Sequence, residues 1–266
     1  LRGSRRAHGP YRYPLYGVPE DLITVDLTSL HPQLKGLRLK GKVVGNRLVP
    51  YDTRREITAK KDVKAPVLCW VDDPVDAFFL QIQGSGRVLL DDGTWMRVGY
   101  ADQNGHPYRA IGGWLIENAG LTRDEMSMQR IRRWVRENPK RMRELLNTNP
   151  NFVFFEERVG MGEADGPLGA QAVPLTPGAS VAVDRRYWKL GVPFVTEVTQ
   201  DNPAMAFARP VIAQDTGGAI RGVIRFDYFW GFGDIAGAQA GRQKSRAHAW
   251  VLVPRGMKPS DIMTAR

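Results

Sequence analysis

Three aspartates near the end of the chain, Asp184, Asp215 and Asp227, stand where a carboxyl group could do chemistry. Asp227 lies inside "GVIRFDYFW", which reads as a strand. Ile224, Phe226, Tyr228 and Trp230 then share one apolar face, and Val223, Arg225, Asp227 and Phe229 the other. An ionised carboxylate taken from water costs several kcal/mol unless it is paired. Two readings of Asp227 therefore stand side by side. Desolvation by the aromatics would raise its pKa, as a general acid at neutral pH requires, or Arg225 would neutralise it as a surface acid. Asp215 ends "VIAQD" before "TGG", and an aspartate there bonds the backbone of its own turn. Asp184 ends "VAVD" ahead of Arg185 and Arg186, and pairing with them is the simpler reading. Asp234 follows Gly233 where a short helix opens, a capping position.

A second polar group occurs earlier. "AFFLQIQ" reads as a strand with Gln81 and Gln83 on one face, followed by a turn containing Ser85. Amides and a hydroxyl beside aromatic residues suit sugar hydroxyls, and they equally suit any polar rim. Ser85 lacks the spacing of a nucleophile elbow. His8, His31, His106 and His248 are scattered without metal-ligand spacing, so no metal is expected. Cys69 is the single cysteine and reads as a small buried hydrophobe in "PVLCWV", with no cofactor chemistry implied. "GFGDIA" matches a dinucleotide pattern, but no acid closes a second strand about 20 residues on, so that reading is rejected.

The elements that must carry these groups run β, then mixed, then β. Short extended pieces fill the region before residue 57, and strands continue through "RVLLDDGTWMRVGY", a hairpin turning at Asp92–Gly93. Helical signals follow: "AIGGWLIENAG" stops at Gly120, and Thr122 with Glu125 has the capping-box spacing. Met128, Ile131, Trp134 and Val135 recur at helical spacing, with arginines left on a solvated face. Strand patterns return after Pro150. Of the 266 residues 42% are hydrophobic, which suits a globular chain with a real core. No apolar run approaches the roughly 20 residues of a membrane helix. The opening "LRGSRRAHGPYRYPLY" has no export-signal pattern, so any signal is expected upstream of it. A formal charge of +10 favours anionic polymers, among them nucleic acid, anionic lipid or a carboxylate-bearing cell wall. No nucleic-acid-binding motif is present, so no nucleic-acid partner is expected.

Six segments together resemble the membrane-bound lytic transglycosylase A family of peptidoglycan-cleaving enzymes. They are "GNRLVPYDTRREI", "WVDDPVDAFFLQIQGSGRVLLDDG", "GYADQNGHPYRAIGGWL", "NPNFVFFEE", "GPLGAQAVPLTPGASVAVDRRYWKLGVPFV" and "AQDTGGAIRGVIRFDYFWGFGDIAGAQAG". The last two resemble the family's three-aspartate module, about residues 170–254, with Asp184, Asp215 and Asp227 as its acids. The resemblance implies a mainly β fold with few short helices. It implies a double-psi β-barrel built from residues 1–57 plus 159–266, a smaller β-barrel inserted at 58–158, and a glycan groove between the two domains. It further implies peptidoglycan as partner, a periplasmic setting with an outer-membrane lipid anchor upstream, and no metal or other cofactor. Asp227 maps onto the catalytic acid with Asp215 assisting, and Thr53, Gln81, Gln83, Ser85 and Asp184 onto substrate-facing motif positions.

The implied reaction cleaves the β-1,4 bond between N-acetylmuramic acid and N-acetylglucosamine and leaves a 1,6-anhydro sugar, with one aspartate acting as acid and then base. An ionised Asp215 nearby would keep Asp227 protonated. Two other readings remain: an inverting hydrolase on the same barrel, using Asp215 or Asp184 to activate water, and a glycan-binding barrel without catalysis.

Overall fold

The computed structural model describes residues 1–34, 39–123, 125–162, 164–218 and 220–264, the side chain of Asp234 excepted. They fall into two compact units, Leu1–Gly160 and Met161–Arg266. The described fold is mainly β with few helices, as expected.

In the first unit the strands are β1 (Arg2–Ser4), β2 (Tyr13–Tyr16), β3 (Ile23–Val25), β4 (Leu39–Val44), β5 (Arg47–Pro50), β6 (Val67–Val71), β7 (Ser85–Leu90), β8 (Trp95–Gln103) and β9 (Val153–Glu157). Helices α1 (Arg54–Ala59), α2 (Pro74–Gln83), α3 (Ile111–Ala119), α4 (Met128–Glu137) and α5 (Met142–Leu146) lie between them. Six strands form one sheet in the order β2-β6-β1-β7-β8-β9, so β1 and β2 ladder with strands from beyond residue 57. β3, β4 and β5 form a separate antiparallel sheet. One core, containing Leu15, Cys69, Val88, Val98 and Phe155, backs the six-stranded sheet. A second, containing Phe78, Leu115, Trp134 and Leu145, joins the helices. Burying one such side chain contributes about 1.5–3 kcal/mol, so packing rather than helix propensity holds these short helices.

Residues 74–83 form helix α2, where the alternating pattern suggested a strand. The reason is local. The Asp73 carboxylate accepts from Val75 N at 2.7 Å and Asp76 N at 3.3 Å, Pro74 takes the first helical position, and Gly84 ends the helix at φ 79°. Caps at both ends override the short alternation, and Phe78, Leu80 and Gln81 turn inward at helical spacing. Thr122 and Glu125 bond each other but close only a local turn. α4 is capped instead by Ser127, whose Oγ accepts from Arg130 N at 3.1 Å. Its arginine face is solvated only in part: Arg133 and Arg136 are exposed, whereas Arg130 and Arg132 are half-buried and pair with Glu137 and Asp76. The hairpin at Asp92–Gly93 and the helix stop at Gly120 are both present.

The second unit holds β10 (Ser180–Ala182), β11 (Pro193–Gln200), β12 (Met205–Asp215), β13 (Asp227–Tyr228), β14 (Arg246–Val251), α6 (Gly233–Arg242) and α7 (Pro259–Ile262). Its sheet order is β13-β10-β12-β11-β14, with β10 and β12 parallel and the other pairs antiparallel. Val181, Val183, Phe194, Val211 and Ala213 form the core, with Trp188, Phe226 and Tyr228 packed on it. Strand geometry near Asp227 is shorter than the sequence suggests: only Asp227 and Tyr228 ladder, and residues 221–224 turn instead. Gly222 sits at φ 117° and Ile224 is 63% exposed, so Ile224 leaves the face that Phe226 and Tyr228 share. α6 begins at Gly233 after Phe232, which makes no side-chain cap bond. The expected capping by Asp234 lies outside the described residues. Among the described residues no ladder closes on itself, so each sheet is open.

Candidate functional site

The three aspartates gather around β10. Ala182 pairs with Asp215 of β12 on one side and with Asp227 of β13 on the other. Two strand spacings put their Cα atoms roughly 10 Å apart. Asp184 follows two residues after Ala182 on the same chain segment.

Their surroundings differ sharply. Asp184 is 1% exposed, and its carboxylate is saturated. It accepts from the Arg186 guanidinium at 2.6 Å, from Arg186 N at 3.1 Å and from Gly222 N at 2.8 Å. The Arg186 bond first, then the two amides, hold its pKa well below the usual carboxylate range against the opposing effect of burial. Ionised and fully bonded, Asp184 ties the turn after β10 to the loop that leads into Asp227. This is the Arg186-paired role that its sequence context predicts.

Asp215 is half-buried and has no cationic partner among the described residues. Its Oδ1 accepts from Ala170 N at 3.0 Å. Gly169 makes that approach feasible, because a Cβ there would stand 2.4 Å from the Gln214 carbonyl oxygen. Desolvation pushes the Asp215 carboxyl up, and the amides of Thr216 and Ala170 only partly oppose it. Burial therefore works against an ionised Asp215.

Asp227 has the Arg225-neutralised setting rather than the desolvated one. Arg225 Nε donates to its Oδ1 at 2.7 Å, and the Asp227 side chain is 44% exposed. Behind it Tyr228 stacks on Trp230 at 5.9 Å, and Phe207 meets both rings edge-on. Arg209 lies 5.0 Å from the Phe207 ring. This aromatic block joins residues far apart in sequence, so no local pattern announces it.

In the first unit Thr53 is the N-cap of α1 within a reciprocal capping box. Its amide and hydroxyl both donate to Glu56 Oε2 at 2.7 Å, and Glu56 N approaches Thr53 Oγ1 at 3.4 Å. Arg54, next along, is 4% exposed. It donates to the carbonyls of Asn149 at 3.1 Å and Asn151 at 2.7 Å and to Gln81 Oε1, between the rings of Phe78 and Phe152. Desolvation pushes its pKa down to about 9, which leaves it charged at neutral pH. Gln81 and Gln83 thus do not share a strand face. Two residues apart on helix α2, Gln81 points inward onto Arg54 while Gln83 is exposed. Gln83 and Ser85 bracket the helix-ending Gly84, and Ser85 opens β7 opposite Gly99. Thr53 and Gln81 are brought together through Arg54; Gln83 and Ser85 form a second pair.

Thr53 also lines a pocket of about 340 Å³ with Arg55, His106, Pro107, Arg109, Asn147, Thr148 and Pro150. Of these only Thr53 is among the substrate-facing positions that the family resemblance implies. Asn104 builds the walls: its amide donates to the carbonyls of Asp52 at 2.8 Å and Pro150 at 2.9 Å and accepts from Phe152 N at 2.8 Å. Among the described residues no three of His, Cys, Asp and Glu cluster as metal ligands.

Residues 1–156 match the family model for the MltA specific insert domain, and residues 179–253 match the 3D domain. The chain belongs to the MltA family. Membrane-bound lytic murein transglycosylase A of Escherichia coli (strain K12) is 37% identical over 208 residues, which cover 75% of this chain and 55% of that protein. Its counterpart in Vibrio cholerae is 33% identical over 251 residues, covering 91% and 60%. The chain thus spans under two thirds of the length of these MltA relatives. Among solved structures, MltA from Neisseria gonorrhoeae superposes with a TM-score of 0.84 at 39% identity, covering 97% of this chain and 71% of that one. E. coli MltA with bound chitohexaose gives 0.74 at 31% identity, covering 94% and 68%.

Proposed function

We propose that the chain cleaves peptidoglycan as a lytic transglycosylase, with Asp227 as the single proton carrier. The observation that carries this reading is the pairing of Asp215 and Asp227 with the two sides of Ala182, in a chain of the MltA family. Protonated Asp227 donates to the glycosidic oxygen as the C1–O bond of N-acetylmuramic acid breaks. The carboxylate then takes the proton of the C6 hydroxyl while O6 bonds C1. The 1,6-anhydro sugar and a free 4-hydroxyl result, and no water is consumed. The nucleophile belongs to the substrate, so its positioning entropy is already met.

In the free chain Asp227 is exposed and paired with Arg225, so the bound glycan must displace that contact and strip water from the carboxyl before it reaches the glycosidic oxygen. Asp184 fixes the loop leading to Asp227. Asp184, Gln81 and Thr53 act as positioning residues, since the Asp184 carboxylate, Gln81 Oε1 and the Thr53 hydroxyl are already bonded; Gln83 and Ser85 remain as glycan-facing groups. Asp215 is the second candidate acid, favoured by its desolvated setting, which holds no cationic partner among the described residues.

Mass spectrometry of products from purified peptidoglycan separates these readings. Asp227→Asn is expected to lower the rate by about 10²–10⁴-fold with anhydro ends as the product of the parent. A loss of that size from Asp215→Asn alone transfers the role to Asp215. New reducing ends in place of anhydro ends would mean an inverting hydrolase, and retained binding without any product a non-catalytic barrel.

The same reading carries the finer architecture and setting: a double-psi barrel of residues 1–57 plus 159–266 around an inserted barrel at 58–158, and an envelope location with an upstream lipid anchor. Its support is family membership and the "membrane-bound" names of the relatives.

A further inference from the structure

The pocket beside Thr53 has a chemistry that cleavage of a neutral glycosidic bond does not call for. Its wall carries two arginines, Arg55 and Arg109, both exposed, and neither side chain has an ion-pair or hydrogen-bond partner among the described residues. That sets them apart from Arg54, Arg132, Arg141 and Arg186, each held by a carboxylate, a carbonyl or an amide oxygen. Among the described residues no acid lines the pocket, and the neighbouring Glu56 is engaged by the amide and hydroxyl of Thr53.

His106 and Asn147 complete the polar lining. His106 Nε2 lies 2.7 Å from the Tyr51 carbonyl, which can only accept, so Nε2 carries a proton and Nδ1 is the ring's remaining polar atom. The Asn147 side chain has no partner among the described residues, whereas the Thr148 hydroxyl donates to the Leu145 carbonyl at 2.7 Å. The backbone beneath is fixed, with Arg109 N bonded to Asn149 Oδ1 at 3.1 Å. At about 340 Å³ the pocket is at the small end of ligand sites, large enough for a short acidic substituent. Two unpaired guanidinium forks facing a small polar cavity match an oxyanion bound by charge-assisted, fork-like hydrogen bonds, and on the proposed substrate that group is a carboxylate.

We infer that the Arg55–Arg109 pocket takes a carboxylate carried by the muramyl units of the peptidoglycan strand. This rests on the proposed substrate and adds to it a recognition element for the acidic substituent instead of the sugar backbone. Two sources supply that group. In peptide-free strands it is the lactyl carboxylate itself; in peptide-bearing strands the lactyl group is amidated and the acids of the stem peptide take its place.

Equilibrium binding to three ligands tests the assignment: peptide-bearing glycan strands, peptide-free glycan strands, and chitohexaose, which has no carboxylate. The variant with Arg55→Ala and Arg109→Ala is expected to lose tenfold or more in affinity for carboxylate-bearing strands relative to chitohexaose. Whichever strand type loses affinity names the source. Arg55→Lys with Arg109→Lys keeps the charge without the fork and should fall between. Arg133→Ala with Arg136→Ala removes the same charge from the solvated face of α4 and should leave the ratio unmoved. An unchanged ratio in the Arg55/Arg109 variant, or an equal change in the Arg133/Arg136 variant, overturns the inference while chitohexaose binding keeps the glycan reading alive. Failure of the parent to bind any of the three overturns the substrate reading itself.

Discussion

The first unit uses arginine as the second uses aspartate: some copies are closed off inside the structure and others are left open. Arg54 and Arg55 are neighbours in sequence, yet Arg54 is buried with its donors on Asn149, Asn151 and Gln81 while Arg55 faces a pocket with no side-chain partner among the described residues. Asp184 is saturated by Arg186 and Gly222, whereas among the described residues Asp215 meets only the backbone amides of Ala170 and Thr216 and Asp227 a single exposed arginine. Residue type therefore does not separate structural from chemical charges. What separates them is whether neighbouring backbone already uses their bonding capacity.

The contrast can be broken at its strongest point by Arg54→Ala. That change leaves the carbonyls of Asn149 and Asn151 without a buried donor and empties the space between Phe78 and Phe152. Chemical denaturation should show a loss of about 4 kcal/mol. Arg55→Ala, one residue on, should cost less than about 0.5 kcal/mol. Comparable losses from the two would erase the distinction.

Asp184→Ala comes next, at about 3 kcal/mol, because Gly222 N and the Arg186 turn lose a buried charged acceptor. In the parent this contribution has a definite pH window. The folded pKa lies below the unfolded one, so the stabilisation is complete above the unfolded carboxylate pKa, about 3.9, and drains away as pH falls through the folded value. Thermal melts from pH 6 downward should show the parent losing stability relative to Asp184→Asn; parallel curves would contradict the assignment.

Asp215→Asn should move the other way. Burial raises the folded pKa of Asp215, so ionisation at neutral pH works against the fold, and an amide that still accepts from Ala170 N removes that conflict. The variant is expected to melt at or slightly above the parent temperature at pH 7, with the gain fading as the pH falls through the raised folded value and gone below the unfolded carboxylate value. A clear drop at pH 7 would show that the charge itself holds the structure together. Arg225→Ala, in turn, removes an exposed ion pair and should change stability by less than about 1 kcal/mol.

Much of the strand inventory was legible, because β-branched runs between Gly and Pro breakers leave few alternatives. The hairpin at Asp92–Gly93 and the helix stop at Gly120 followed from turn chemistry alone. Helix α2 was misread because "AFFLQIQ" alternates by chance, while the signals that decide it, Asp73, Pro74 and Gly84, lie at its ends. Asp227 was located but its environment was not. Whether an acid two residues from an arginine is desolvated or paired depends on where the strand begins, and it begins at Asp227 itself. The Arg55–Arg109 pocket left no local trace, since its lining comes from three separate stretches, 53–55, 106–109 and 147–150.

Those three stretches are tied together by one buried amide. Asn104 bonds the backbone at Asp52, Pro150 and Phe152, none of which is its sequence neighbour. The pocket's walls are therefore in place before any ligand arrives. Capture there has a kinetic signature: association set by encounter and electrostatic attraction, and slowed by salt, with no additional phase for loops folding around the guest.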